Sequence, residues 1–219
     1  EQEAERFIQN ILTHLDLPVN SRLLDLACGK GRHAKFLSEF NHQVMGVDLS
    51  PNSIEKTSEY AHEKLRFQTH DMREVIENEE FDVIFNLFTS FGYFDDESEN
   101  KRMCDSISQM LVPGGRLLID FMNAKKVIEN LVPAETKTID GITFDITRTY
   151  DGKHIYKHIA VTDGEQVSRY MERVQAIKLL DFRSLLETHF EIIHTFGSYD
   201  LAPFDEEKSD RLILLAHLK

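Results

Sequence analysis

The stretch Leu23-Leu24-Asp25-Leu26-Ala27-Cys28-Gly29-Lys30-Gly31-Arg32-His33-Ala34-Lys35-Phe36-Leu37 decides the fold. Leu23 to Ala27 is an apolar run long enough for one buried strand, interrupted only by Asp25. Gly29 and Gly31 follow at the spacing of a tight turn, since a residue without Cβ takes positive φ readily and lets a ligand approach the backbone. Ala34, Phe36 and Leu37 then lie on what reads as a helix. Strand, glycine turn and helix in that order aim backbone amides at whatever sits before the helix N-terminus.

The same unit repeats outward. Upstream, Phe7, Ile8, Ile11, Leu12 and Leu15 recur at helical spacing before Pro18. Downstream, Gln43 to Val47 reads as a second strand, and Ser50-Pro51 caps a helix expected to run to about His62. Leu65 to Gln68, Phe81 to Leu87 and Arg116 to Phe121 supply three more strands, the last entered through the turn Val112-Pro113-Gly114-Gly115. A helix is expected over Asn100 to Leu111, where Met103, Ile107, Met110 and Leu111 share a face. Five strands alternating with helices require right-handed crossovers and a parallel sheet covered on both faces, so the first 123 residues read as doubly wound α/β.

After Asn123 the pattern changes. Asp140-Gly141, Asp151-Gly152 and Asp163-Gly164 are three hairpin dipeptides, and Ile142, Phe144 and Ile146 alternate with polar neighbours. An antiparallel meander is expected from about Thr136 to Ile177, then a helix over Asp181 to Thr188 and closing strands at Phe190 to Phe196 and Leu212 to Leu218. The expected organisation is a core of residues 1–134 and 178–219 with an antiparallel β insertion at 135–177. Its apolar face, joined by Ile155, Ile159 and Val161, needs cover. The rim above the strand ends and a second copy, giving a homodimer through the insertion, are the two surfaces left for it.

Composition narrows the partners. Lys plus Arg number 25 against 38 Asp plus Glu, a net charge of -13 that repels phosphate backbones and argues against nucleic acid. Lys125, Lys126, Arg148, Lys153 and Lys157 are scattered rather than clustered. No apolar run reaches the roughly 20 residues of a membrane span, and the acidic first residues lack the apolar stretch of a signal peptide. Cys28 and Cys104 are too few for a disulfide framework or a zinc cluster, so a reducing, cytoplasmic setting without metal is expected.

Gly29, Gly31 and Ala34 also satisfy the dinucleotide pattern G-x-G-x-x-A, which makes an NAD-dependent reductase the rival reading. Asp25 separates the two. A carboxylate beside the turn repels a pyrophosphate and attracts a cationic ligand. Asp48, ending the second strand, suits the two hydroxyls of any adenosine ribose.

The ordered set LLDLACGKGRH, VMGVDLS, FQTHDMRE, FDVIFNLFTSFGY and LVPGGRLLIDF resembles the successive motifs of class I S-adenosylmethionine-dependent methyltransferases, over about Leu23 to Phe121. The resemblance implies a seven-stranded, Rossmann-like sheet with its last strand antiparallel. It also implies S-adenosylmethionine as cofactor, whose ammonium and sulfonium suit Asp25. Asp25, Ala27, Cys28, Gly29 and Gly31 would line the methionine end, Asp48 and Leu49 the ribose, and Asp71 and Met72 the adenine, with Asn86 and Leu87 beside the methyl. Ala27 stands where many members have glycine, and Cys28 beside it is also small enough to leave the turn open. The insertion resembles the β-sheet lid of methyltransferases of the glycine and amino-sugar N-methylating kind. A small-molecule acceptor methylated at N or O, with nitrogen preferred, is therefore expected. A non-catalytic module binding the same cofactor is the other alternative.

Phe88, Phe91, Tyr93 and Phe94 follow the fourth strand at the ligand-binding edge of such a sheet. Tyr93, with its polar hydroxyl, is the first candidate for catalysis or orientation, and His33 in the first turn of the second helix is the other. His154, Tyr156 and His158 share one strand face but lack a completing ligand, and read as a polar surface. Asp95, Asp96, Glu97 and Glu99 form an acidic loop suited to solvent or to a cationic amine. Asp71 also reads as the N-cap of a short helix through Val75.

Overall fold

The computed structural model describes residues 2–94 and 96–219. Helix α1 (Gln2–Leu15) buries Phe7, Ile8, Ile11, Leu12 and Leu15, the stripe its periodicity predicts. Then come β1 (Arg22–Leu26), α2 (Arg32–Ser38), β2 (Gln43–Asp48), α3 (Pro51–Glu55), β3 (Leu65–Thr69), β4 (Phe81–Asn86), α4 (Glu97–Met110), β5 (Leu111–Met122) and α5 (Ala124–Glu129). Four strands follow, β6 (Ala134–Ile139), β7 (Ile142–Tyr150), β8 (His154–Asp163) and β9 (Gln166–Gln175). The chain closes with α6 (Leu179–Leu186), β10 (Phe190–Phe196) and β11 (Arg211–Leu218).

Among the described residues the strands form two sheets. The larger runs β10-β11-β5-β4-β1-β2-β3, parallel except for β11, which lies antiparallel to both its neighbours. The chain leaves β1 toward β2 on one side and reaches β4 on the other, so the crevice expected at a reversal of strand order opens between β1 and β4. One core layer holds Leu24, Leu26, Ile84, Phe91, Ile107 and Phe182, and the other packs α1 and α2 over Leu23, Val44, Phe85 and Ile213. Apolar side chains on both faces are what a parallel sheet covered twice requires.

Several local expectations are corrected. The helix after Ser50 ends at Glu55 and gives way to a 3-10 turn over Ser58–Tyr60, rather than running to His62. The hydroxyls of Thr57 and Ser58 donate to the carbonyls of Ile54 and Glu55, drawing the backbone off α geometry. Residues 71–75 form a turn instead of a short helix, with Arg73 N donating to Asp71 Oδ1 (3.0 Å) and Glu74 N to Asp71 O (2.9 Å). The turn at Val112–Gly115 lies inside β5 as an irregularity, where the register on β4 jumps from Phe81↔Leu111 to Val83↔Arg116.

The insertion is a four-stranded antiparallel meander, β6-β7-β8-β9. Of its three Asp-Gly dipeptides only Asp140-Gly141 forms a two-residue turn with both φ positive, 51° and 83°. Asp151-Gly152-Lys153 is a three-residue connection, and Asp163 is the last residue of β8, leaving Gly164-Glu165 as the turn. Phe144 opposes Val161 and Ile146 opposes Ile159, so the two apolar rows do share a face. That face is buried only near its base: Ile146 and Ile155 are covered, Ile142, Phe144, Ile159 and Val161 are half-buried, and Ile139 and Tyr170 are exposed.

Gly31 is fixed twice over. Its φ is +73°, and a Cβ there would lie 2.6 Å from the Phe67 ring and 2.9 Å from Thr57 Cγ2, whereas one on Gly29 (φ +56°) would meet nothing within 4 Å. Gly29→Ala should therefore cost only the left-handed backbone term, roughly 1–2 kcal/mol, and Gly31→Ala an added overpacking cost of about 1–3 kcal/mol. Denaturant titration of both variants checks this, and equal losses would contradict the Phe67 contact.

Candidate active site

The glycine turn is built from the strand end upward. Cys28 N donates to Val47 O (2.8 Å), Gly31 N to Cys28 O (3.0 Å) and Lys35 N to Gly31 O (2.9 Å), so the loop folds directly into α2. Ala27 takes φ +65°, a conformation that the smallest side chain tolerates best. Asp48 spans two loops: Oδ2 accepts from Gly29 N (2.8 Å) and Oδ1 from Ser50 N (2.8 Å).

Beside this turn lies a cleft of about 550 Å³, lined by Asp25, Ala27, Cys28, Gly29, Lys30, Arg32 and His33 on one wall and Leu87, Phe88 and Ser90 on the other. Asp25 is 1% exposed, and its Oδ2 has no hydrogen-bond partner among the described residues. Burial raises its pKa from 3.8 to about 7; a backbone hydrogen bond from Ala34 opposes the rise and the charge of Asp48 adds to it. Burial also pushes the Cys28 thiol far up, which leaves it protonated and inert.

His33 stacks on Phe88 with ring centroids 4.3 Å apart and planes 19° apart. Burial first, and then the charge of Arg32, lower its pKa from 6.5 to about 4, so it is neutral at pH 7 and able to accept a proton. Tyr93 is 48% exposed, on the loop that follows β4. Partial burial and the Glu172 carboxylate of β9 raise its pKa, which places the meander's charge beside that hydroxyl.

The remaining predicted residues lie outside the lining of this cleft, at or after the ends of β2, β3 and β4. Asn86, fully buried at the end of β4, donates from Nδ2 to Leu26 O (3.0 Å) and so joins β4 to β1 at the crevice; its Oδ1 is unpartnered among the described residues. Leu49 is exposed beyond β2. Asp71 follows β3, beside Asp48 through the His70 N to Asp48 O bond (3.0 Å), and both of its oxygens accept from the Arg73 side chain, which holds its pKa low. Met72 is half-buried against the core. Of the aromatic run, Phe91 is a core residue on Phe182 and Phe94 lies under the Arg73 guanidinium.

The acidic loop is structural where it is described. Asp96 caps α4 by accepting from Ser98 N (3.0 Å), and Glu99 pairs with Arg73; Asp95 lies outside the described residues. Asp151 accepts from His154 N and from the Tyr156 hydroxyl, so that pair orders a turn, and the described residues contain no cluster of metal-ligating side chains. Lys125, Lys126, Arg148 and Lys157 pair with Glu207, Asp210, Glu135 and Glu172.

Two polar arrangements escaped the sequence reading. Gln175, ending β9, donates from N to Gly92 O (2.8 Å) and from Nε2 to Phe94 O (2.9 Å), while its Oε1 accepts from Asn100 Nδ2 (2.7 Å). The base of the meander is thereby fastened to the loop that carries Tyr93. Asp120, fully buried within β5 two residues before its end, accepts from Phe88 N and from Arg211. An acid inside Leu117-Leu118-Ile119-Asp120-Phe121 was a readable signal, but its partner, 91 residues away, was not.

Residues 23–115 match the model of a methyltransferase domain. A putative methyltransferase of Bacillus subtilis, YqeM, is 31% identical over 116 residues, 52% of this chain and 47% of that protein. A dTDP-3-amino-3,4,6-trideoxy-alpha-D-glucopyranose N,N-dimethyltransferase of Streptomyces venezuelae is 25% identical over 167 residues, 74% of this chain and 70% of that one. The chain spans about half the length of several curated relatives it matches. The crystal structure of an S-adenosylmethionine-dependent methyltransferase from Clostridium acetobutylicum superposes with a TM-score of 0.86 at 22% identity, covering 99% of this chain and 91% of that one. Residues 23–115 thus match a methyltransferase-domain family, and the whole chain shares its fold with a solved S-adenosylmethionine-dependent methyltransferase.

Proposed function

We propose that this chain transfers a methyl group from S-adenosylmethionine to nitrogen, or secondarily oxygen, of a small acceptor. One observation carries the reading: Asp25, a buried acid whose Oδ2 has no partner among the described residues, lines the cleft at the β1/β4 crevice. An ammonium group satisfies it, whereas a pyrophosphate would meet repulsion. The cofactor fits the other groups as well. Gly29 and Gly31 leave the turn open for its methionine end, with Ala27 and Cys28 beside them. Asp48 retains lone pairs for ribose hydroxyls, with Leu49 beside it. Asp71 and Met72 flank the adenine. Asn86 Oδ1 and Leu87 lie toward the methyl.

The bound sulfonium supplies a methyl on an already good leaving group. The protein's part is then positioning, which holds nucleophile and methyl in line and is worth about 7–11 kcal/mol in well-oriented systems. His33, which lines the cleft and is neutral there, is the candidate to take a proton from the acceptor, as a weak base, and Tyr93 is the candidate to orient it from the rim. Preference for nitrogen rests on the Streptomyces relative, whose name specifies an amino-sugar N,N-dimethyltransferase, and on the acidic surface. The meander, fastened beside Tyr93 through Gln175, acts as the lid over the acceptor.

Two outcomes follow. Calorimetry with S-adenosylhomocysteine should show micromolar-scale binding, far tighter than NAD. Because the free Asp25 carboxyl titrates at about 7 and the ligand's ammonium needs it ionised, affinity should rise by up to about tenfold per pH unit from pH 5.5 to 7 and level off above. Asp25→Asn should abolish that slope; equal wild-type affinities at pH 5.5 and 7.5, or tighter NAD binding, would sink the reading. Replacing residues 134–175 by a short Gly-Ser linker should keep S-adenosylhomocysteine binding and lose methylation of amine acceptors found by screening. Turnover at the parental rate would refute the lid.

A further inference from the structure

The wall of the cleft facing the glycine turn is strained. Phe88 and Thr89 both lie in the left-handed region, with φ +55° and +62°, and Thr89 is β-branched, the kind of side chain that region accepts least. Neither is glycine, so something must hold this turn against its preferred geometry.

The holding groups are visible. Asp120, wholly buried two residues inside the end of β5, accepts from Phe88 N on Oδ2 (2.9 Å), and its carbonyl accepts from Thr89 N (2.9 Å). Arg211, the first residue of β11, donates from Nε to Asp120 Oδ1 (2.8 Å) and from a terminal nitrogen to Thr89 Oγ1 (3.0 Å). The Tyr199 hydroxyl donates to Asp120 Oδ2 (3.3 Å), and its ring lies 5.5 Å below the Arg211 guanidinium and 5.7 Å from Phe88. Both backbone N–H groups of Phe88 and Thr89, and the Thr89 hydroxyl, meet this acid or its arginine. The consequence is the position of one ring: Phe88, on the clamped backbone, lies flat on His33.

We propose that Asp120 and Arg211, assisted by Tyr199, are positioning residues for the acceptor-side wall, holding a left-handed Phe88–Thr89 turn that sets the Phe88 and His33 rings. Their use to methyl transfer rests on the function proposed above; the clamp itself does not. The fork geometry of arginine matters here. A single ammonium carries the same charge but cannot bond Asp120 Oδ1 and Thr89 Oγ1 together in that planar arrangement.

The test follows from that difference. In Arg211→Lys the buried carboxylate keeps a cation while the turn loses its second hold. The His33 ring protons, observed by NMR, should move downfield as Phe88 shielding is lost, and S-adenosylhomocysteine should bind about tenfold more weakly, the low end of one strained residue's worth. Adding Thr89→Gly, which needs no clamp to adopt φ +62°, should restore both readouts. Thr89→Val, which removes only the oxygen that Arg211 reaches, should move the same resonances less in the same direction and remains informative if Arg211→Lys does not fold. Unchanged His33 resonances in folded Arg211→Lys or Thr89→Val would overturn the proposal, as would failure of Thr89→Gly to restore them. Wild-type protein that binds no S-adenosylhomocysteine would defeat the proposed function, while the His33 resonances would still decide the clamp.

Discussion

A carboxylate oxygen without a partner among the described residues, in the middle of a close-packed sheet, is the constraint on which the cleft depends. Moving the Asp25 pKa from 3.8 to about 7 corresponds to about 4 kcal/mol against its ionised form, comparable with a good part of a domain's net stability. Leu23, Leu24 and Leu26 around it are fully buried, so the strand cannot shift to bring the acid to water without exposing three leucines. The cost is carried by the surrounding apolar layers, and the ammonium of the proposed cofactor would relieve it. Binding energy for a charged ligand is in this sense built into the folded chain beforehand.

The rest of the site repeats one device on the two sides of the crevice. On the β1 side, the acid that ends the neighbouring strand β2, Asp48, accepts from the amide of Gly29 and steadies the loop after β1. On the β4 side, an acid two residues inside the end of the neighbouring strand β5, Asp120, accepts from the amide of Phe88 and steadies the loop after β4. Left-handed residues occur on both walls, Ala27 and Gly29 on one and Phe88 and Thr89 on the other. Loops shaped by sheet-anchored carboxylates keep a fixed width between them, which in-line displacement requires. The difference is charge: Asp48 accepts from the backbone amides of Gly29 and Ser50, whereas Asp120 is neutralised within the protein by Arg211.

That contrast explains what the sequence disclosed. Strands β1 to β5 were legible because each is a short apolar run closed by a turn signal, and Asp25 and Asp48 because each acid stands at a strand end beside glycines. Local pattern failed where competing hydrogen bonds decide. Thr57 and Ser58 bend the segment after α3 through their hydroxyls, and Asp71 spends its carboxylate on Arg73 rather than on a helix. The Asp-Gly dipeptides marked the hairpins correctly, but two of the three turns are shifted or lengthened, because strand pairing rather than the dipeptide sets where a loop begins. Asp120, an acid inside an apolar strand, went unread, since its meaning lies in Arg211 and Tyr199, which only the antiparallel return of β11 brings near.

The attachment of the meander bears on its proposed role as a lid. An element that covers and uncovers an acceptor needs a fixed landing point and a shallow energy well. Gln175 supplies the first, with three hydrogen bonds, two to Gly92 and Phe94 on the loop bearing Tyr93 and one from Asn100 of α4. The second follows from the chemistry of that contact. Neutral amide hydrogen bonds contribute only about 0.5–1.5 kcal/mol each, and Asn100 Oδ1 stays buried without a partner among the described residues, which subtracts from the gain. Apolar packing at the base is confined to a few side chains such as Ile146, Ile155 and Ile177, while the far end of the sheet exposes Ile139, Val167 and Tyr170. A docking surface of this kind fixes where the meander lands more firmly than it fixes how long it stays.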